Sequence, residues 1–168
     1  MNRTVLFALF LLAAVIAYAH MPAWQWMAEG GALHPETYAI DPTAFAEKAE
    51  AMIAAYATGR EDNGVPVVHP PEGDVYVVAH QFGFRPVLEL EAGKSYRLHV
   101  SSVDILHGLN FPLADADTLI VPGQAQVLPL TPAQLGRFAL QCSENCGLDH
   151  NRMKGWVEVV EPSEQVNP

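Results

Sequence analysis

Gly136-Arg-Phe-Ala-Leu-Gln-Cys142-Ser-Glu144-Asn-Cys146-Gly-Leu-Asp-His150-Asn-Arg-Met153-Lys-Gly-Trp-Val-Glu-Val-Val160 joins two strand-like runs through a loop rich in metal-ligating side chains. Residues 136–142 and 154–160 read as short strands. The loop between them carries two thiols, an imidazole and a thioether within twelve residues, spaced Cys-x3-Cys-x3-His-x2-Met. A loop anchored at both ends by rigid strands can aim several ligands at one point, and steps of three and four residues let successive ligands turn inward. His107 stands 35 residues before Cys142, on the strand-like stretch 105–111, and is expected to approach the same end of the domain.

Outward from this loop the chain reads as all-β. Val75, Val77 and Ala79 alternate with Tyr76, Val78 and His80, and Tyr96, Leu98 and Val100 alternate with Arg97, His99 and Ser101. Val87 to Glu91, closed by Ala92-Gly93, and the runs 118–121 and 125–130 add further candidates. Short strands at this spacing, broken by Gly and Pro, indicate a β-sandwich or barrel. The main domain is placed at 74–161 and a C-terminal tail at 162–168. Ahead of it, 30–73 reads as a linker holding one short amphipathic helix, 42–58. Asp41 is its expected N-cap, Pro42 its first residue, Phe45, Ala49, Met52, Ile53 and Tyr56 its apolar face, and Gly59 its stop. The polar, proline-rich stretch 60–73 marks the border of the main domain.

Residues 1–29 carry Arg3 and then an uncharged apolar run, Thr4 to Ala19. Two readings stand. Ala17-Tyr-Ala19 fits a signal-peptide cleavage site. Alternatively Met21, Trp24, Trp26 and Met27 extend the run into a single transmembrane anchor, with the tryptophans at the interface and Arg3 inside. Both put everything after residue 30 outside the cytoplasmic membrane. The net charge of −10 excludes a phosphate-binding, nucleic-acid surface and suits attraction of a basic protein partner. Outside the cytoplasm two cysteines are ordinarily read as a disulfide, although a bridge across so small a loop stabilises little.

Thiolate and thioether are soft ligands and imidazole suits copper. A mononuclear blue-copper site needs one Cys, two His and a weak Met, so this chain has one Cys too many. Two thiolates can bridge two ions, leaving one imidazole for each, Met153 as a weak ligand to one, and a backbone carbonyl or amide for the other. That count fits a dinuclear copper centre, and fits zinc less well because Met is a poor zinc ligand.

Cys142-x-Glu144-x-Cys146-Gly147-x-x-His150-x-x-Met153, with His107 in Asp104-Ile-Leu-His107, closely resembles the CuA site of cytochrome c oxidase subunit II, over about residues 74–160. The resemblance implies a cupredoxin-like Greek-key β-barrel that binds two copper ions. It implies that Cys142 and Cys146 bridge them, that His107 and His150 bind one each, and that Met153 and the Glu144 carbonyl are axial. It further implies that the Glu144 carboxylate reaches a magnesium ion at the interface with subunit I. Asp104 falls near the copper site and that interface on the family pattern, and Arg152, between two ligands, is read as offsetting charge at the site or contacting subunit I. His80-Gln81-Phe82-Gly83-Phe84 resembles the family's aromatic patch at the electron entry point, with Phe82 and Phe84 where tryptophans are usual. One hydrophobic segment, where many members have two, matches a single-anchor branch of the haem-copper oxidases. The implied function is electron transfer from cytochrome c or a small copper protein to haem in subunit I, where oxygen is reduced; this chain carries no catalytic residue. The implied location is the plasma membrane, with the copper domain on the periplasmic or extracellular side. The alternative is an extracytoplasmic copper-binding or thiol-redox assembly factor, against which stand Gly147 after the second Cys and the all-β pattern. His20, His34, His69, His80 and His99 read as surface or packing groups, Trp156 as core, and Asp115, Asp117, Asp149 and Glu89 as a solvated or docking acidic face.

Overall fold

The computed structural model describes residues 2–19 and 36–163. By packing the chain divides into two compact units, Met1–His34 and Pro35–Pro168. In the first, helix α1 spans Arg3–Ala19, 17 residues, with no buried side chain. No helix among the described residues is long and apolar enough to cross a membrane. The tryptophans of the expected anchor extension, together with His20 and His34, lie outside the described residues.

The second unit begins with strand β1 (Glu36–Ala39) and helix α2 (Pro42–Tyr56). Asp41 caps α2 as its sequence predicts: the carboxylate accepts from the Thr43 amide at 2.9 Å and the Ala44 amide at 3.2 Å. Phe45, Ala49 and Met52 form its buried stripe. The helix stops at Tyr56, two residues earlier than expected, because Ala57 turns extended and starts a strand. Gly59 does not end the helix; its φ of +80° falls where the register of that strand shifts.

The stretch expected to be a polar border is instead a β-hairpin of β2 (Ala57–Asp62) and β3 (Val65–Val68). Asn63 and Gly64, at φ 51° and 80°, form its two-residue turn, the left-handed pair that closes twisted hairpins. Val67 and Val68 are buried, and β3 continues the sheet beside β6 (Val87–Glu91). The sheet therefore starts well before residue 74.

The remaining strands are β4 (Gly73–His80), β5 (Gly83–Arg85), β7 (Tyr96–Ser102), β8 (His107–Phe111), β9 (Ala116–Ile120), β10 (Gln124–Leu130), β11 (Gly136–Gln141) and β12 (Lys154–Val160). They form one sheet in the order β1-β10-β7-β4-β5-β12-β11-β8-β9, with β6 paired to β12. Val75, Val77, Ala79, Leu98, Val100, Leu109, Phe111, Leu140, Val157 and Val159 fill its interior, so the period-two reading chose the right face. The opposite face of β4 is covered too. Val78 and Tyr76 pack with Phe45, Ala49 and Ala125 beneath α2. Cys142, Cys146 and Met153 belong to the main core cluster, which places the thiols at one end of the apolar interior.

Candidate metal centre

His107 begins β8, and the other ligand candidates lie in the loop that β11 and β12 hold at its two ends. β11 ends at Gln141 and hands Cys142 into the loop; β12 takes the chain back at Lys154. A backbone bond from the Cys142 amide to the Met153 carbonyl, 3.2 Å, closes the loop at its base. Inside it, a short turn at His150–Arg152 is fixed by the His150 amide on Gly147 O (3.2 Å) and the Met153 amide on His150 O (3.1 Å). Gly147 adopts φ +135°, a left-handed conformation that a side chain rarely takes.

These constraints bring the sulfurs together as free thiols, 3.6 Å apart. Around them stand His107 Nδ1 at 4.0 Å from Cys142 Sγ, His150 Nδ1 at 3.8 Å from Cys146 Sγ, and Met153 Sδ at 3.5 Å from Cys146 Sγ. The Glu144 carbonyl lies 3.2 Å from Cys142 Sγ, while the Glu144 side chain is exposed. His107, Cys142 and Cys146 are all buried, and their ligand atoms lie within 4.8 Å of one another. Burial foremost, and then the neighbouring Cys142 thiol, push the Cys146 thiol up to about 11. Metal binding at a thiol displaces its proton, so a cation held by the Cys146 sulfur is bound by the thiolate. Two sulfurs, two imidazole nitrogens, a thioether and a carbonyl converging on one small volume fit soft, copper-type chemistry.

His107 has a support of its own. Its Nε2 lies 2.8 Å from Asp104 Oδ1. A proton on Nε2 donated to that carboxylate leaves the Nδ1 lone pair facing the sulfurs, the tautomer a metal needs. Burial raises the Asp104 carboxyl, but hydrogen bonds from His107, the Gln81 and Ile105 amides and Ser102 outweigh it and hold the group at about 2. Asp104 thus stays an anion and an acceptor throughout the neutral range.

The other candidates separate. Phe82 borders the loop, its ring 3.1 Å from where a Gly147 Cβ would sit; Phe84 is 1% exposed and packs on Gly155 inside the core. Arg152 is exposed and meets only Asp149, at 3.9 Å, among the described ion pairs. Trp156 is half-buried beneath the Arg137 guanidinium, 4.2 Å from its ring centre. His69 sits between Glu89 and Glu91, 3.1 Å from each, and His99 is buried between Tyr38 and Asp74. Gln81 drew no role from the sequence, although its side chain reaches the Cys146 carbonyl; its partners lie too far along the chain for spacing to reveal.

The profile of cytochrome c oxidase subunit II, periplasmic domain, matches residues 82–160. Cytochrome c oxidase subunit 2 of Thermus thermophilus is 27% identical over 157 residues, covering 91% of this chain and 85% of its own length. A chain of a heme-copper terminal oxidase dimer has a TM-score of 0.55 at 14% identity, covering 93% of this chain and 99% of that one. A rusticyanin variant has a TM-score of 0.54 at 15% identity, covering 76% of this chain and all of that one. The last two establish likeness of fold, a cupredoxin-like curled sheet. With the profile match lying across the thiol loop and the Thermus relative aligned along nearly the whole chain, this chain is homologous to cytochrome c oxidase subunit II.

Proposed function

We propose that this chain carries a dinuclear CuA centre through which it passes electrons from a soluble donor to haem in the neighbouring subunit of a haem-copper oxidase. The observation that carries the proposal is the ring of donors around two free thiols 3.6 Å apart, at the buried end of a β-framework. Cys142 and Cys146 would hold the two ions in this reading, together with His107 and His150, and Met153 and the Glu144 carbonyl would serve as weak ligands. Copper supplies a one-electron couple shared between the two ions. The chain's contribution is to hold the ligands still while that charge changes. β11, β12 and β8 fix the ligand-bearing ends, Asp104 fixes the His107 ring, and the packed core excludes water from the sulfurs. Small ligand movement means little nuclear rearrangement on each transfer, which keeps the transfer fast at low driving force.

The donor, a cytochrome c or small copper protein, docks at the loop face, where Leu148 is 100% exposed and Phe82 borders Gly147. Phe84 is too deeply buried to meet a donor, so Phe82 is the entry residue of choice. In this reading the exposed Glu144 carboxylate would reach a magnesium ion shared with subunit I, and Asp104 and Arg152 would lie near the same interface. The chain is membrane-associated with its copper domain on the outer side. Helix α1 is about 25 Å long at 1.5 Å per residue and is the segment that would hold the chain at the membrane.

The test is copper loading of the full chain in detergent. Two coppers per chain, a purple colour and a delocalised mixed-valence EPR signal are expected. Cys146→Ser should abolish that signal. A colourless, EPR-silent protein under oxidising conditions would overturn the proposal.

A further inference from the structure

We propose that Gln81 is a positioning residue for the metal centre, a strut that ties the support of His107 to the backbone of Cys146. The inference deepens the copper reading above and rests on it for the identity of the ion. Gln81 lies in the turn between β4 and β5, remote in sequence from both ligand segments. Its backbone amide donates to Asp104 Oδ2 at 2.7 Å. Its side-chain Nε2 donates to the Cys146 carbonyl at 2.6 Å. The other Asp104 oxygen holds His107 Nε2 at 2.8 Å. One residue therefore joins the carboxylate that orients an imidazole to the peptide that carries a thiol.

Neither bond is a local accident. The contacts span 23 and 65 residues. Gln81 is exposed, so water would satisfy its amide equally well if the bond to Cys146 served nothing. The fit is also close: a Cβ on Gly147 would stand 3.2 Å from Gln81 Nε2. Gly147, immediately after Cys146, leaves room for the strut. With the Cys146 carbonyl held, the Cys146–Gly147 peptide cannot rotate, and the direction from which Cys146 Sγ faces Cys142, His150 and Met153 is set before any ion arrives.

Gln81→Met keeps the length and removes the donor. Gln81→Glu turns the donor into an acceptor facing a carbonyl and adds charge beside Asp104. Both changes fall on an exposed turn residue and leave the core intact, which near-ultraviolet circular dichroism verifies. Two readouts decide the matter. In the metal-free chain, the rate of thiol alkylation by N-ethylmaleimide at one fixed pH should rise about two- to tenfold in Gln81→Met, the factor one hydrogen bond confers. In the copper-loaded chain, the EPR hyperfine pattern and midpoint potential should shift in both variants, a change that loss of mere stability does not cause. Wild-type alkylation rates in both variants would overturn the proposal, as would an unaltered spectrum in loaded variants. A wild-type chain that binds no copper pair would sink the copper reading alone, because the metal-free alkylation rates still decide what Gln81 does.

Discussion

Gly108→Ala puts one methyl group where the structure has no room, beside the metal loop. Gly108 follows His107 on β8, with its absent side chain facing residues 143–144 rather than the core. A Cβ there would collide with Ser143 Oγ, lie 2.6 Å from the Glu144 amide nitrogen and 3.0 Å from Glu144 Cγ. The hydroxyl and the Glu144 side chain can turn aside. The amide nitrogen is backbone and cannot. Ordinary non-bonded contact needs about 3.5 Å, so the Ser143–Glu144 segment must withdraw by about 0.9 Å. Overpacking of this kind costs about 1–3 kcal/mol. Against that, alanine restricts the unfolded chain and returns about 0.4–1 kcal/mol, since Gly108 shows no left-handed φ to strain it. The net loss is about 1.5 kcal/mol, a fall in Tm of roughly 5 °C for a domain of this size.

The functional consequence should exceed the loss of stability. The displaced segment carries the Glu144 carbonyl, 3.2 Å from Cys142 Sγ, so a withdrawal near 1 Å removes it from the ligand ring. Thermal unfolding of the metal-free chain measures the first effect, and copper stoichiometry with the EPR spectrum measures the second. Adding Ser143→Ala relieves the hydroxyl clash alone and should restore little. A Gly108→Ala chain with unchanged Tm and spectrum, or one fully rescued by Ser143→Ala, would refute the argument that the backbone contact is decisive.

Two further perturbations probe the supports. Asp104→Asn removes the anion that fixes the His107 tautomer; copper affinity measured by competition with a chelator should fall about tenfold, the usual loss when a ligand's hydrogen-bonded partner is removed. Glu91, buried beneath Lys94, Ser163 and His69, has its carboxyl held down to about 2, first by the Lys94 hydrogen bond and then by Ser163 and His69 against the opposing effect of burial. Its contribution to stability is complete above the ordinary carboxylate value and is lost as pH falls from about 5 through 2, so Gln in its place should flatten the acid limb of a denaturation-versus-pH curve over that window. An unchanged acid limb would show that Glu91 does not titrate with unfolding.

How much of this was legible depends on whether the determinants are neighbours in sequence. β6 and β12 were read to the residue, because alternation and a closing Gly or Pro are local signals. The hairpin β2–β3 was missed although Asn63-Gly64 is a strong turn signal; the acidic pair Glu61-Asp62 and three prolines from 66 to 71 made the flanks look like a linker. Pro66 is the second residue of the short strand β3, opposite Glu61 in the hairpin. β1 and β5, at four and three residues, are too short to show a period. His99 and Ser101 sit on the polar face of β7 yet are buried. Period two tells which residues share a face, not whether both faces are covered, and here Tyr38 of β1 closes over His99.

The same division runs through the metal centre. Its candidate donors lie in twelve contiguous residues plus His107: residue type and spacing singled out the thiols, imidazoles and thioether, and the resemblance added the Glu144 carbonyl. Its geometry is written elsewhere: in Asp104, which turns the imidazole; in Gln81, which holds the thiol's peptide; and in Gly108 and Gly147, which matter by what they lack. None of these four bears a ligand atom, and two are conspicuous only as empty space. A donor set can bind copper wherever a flexible loop folds around the ion, but then the ligands move whenever the ion's charge changes. Ligands whose positions are fixed by strand ends and by such supports, with the two sulfurs 3.6 Å apart, have less adjustment left to make. On the proposed function, such supports are what would separate an electron carrier from a copper binder, and they are the part that only the folded chain displays.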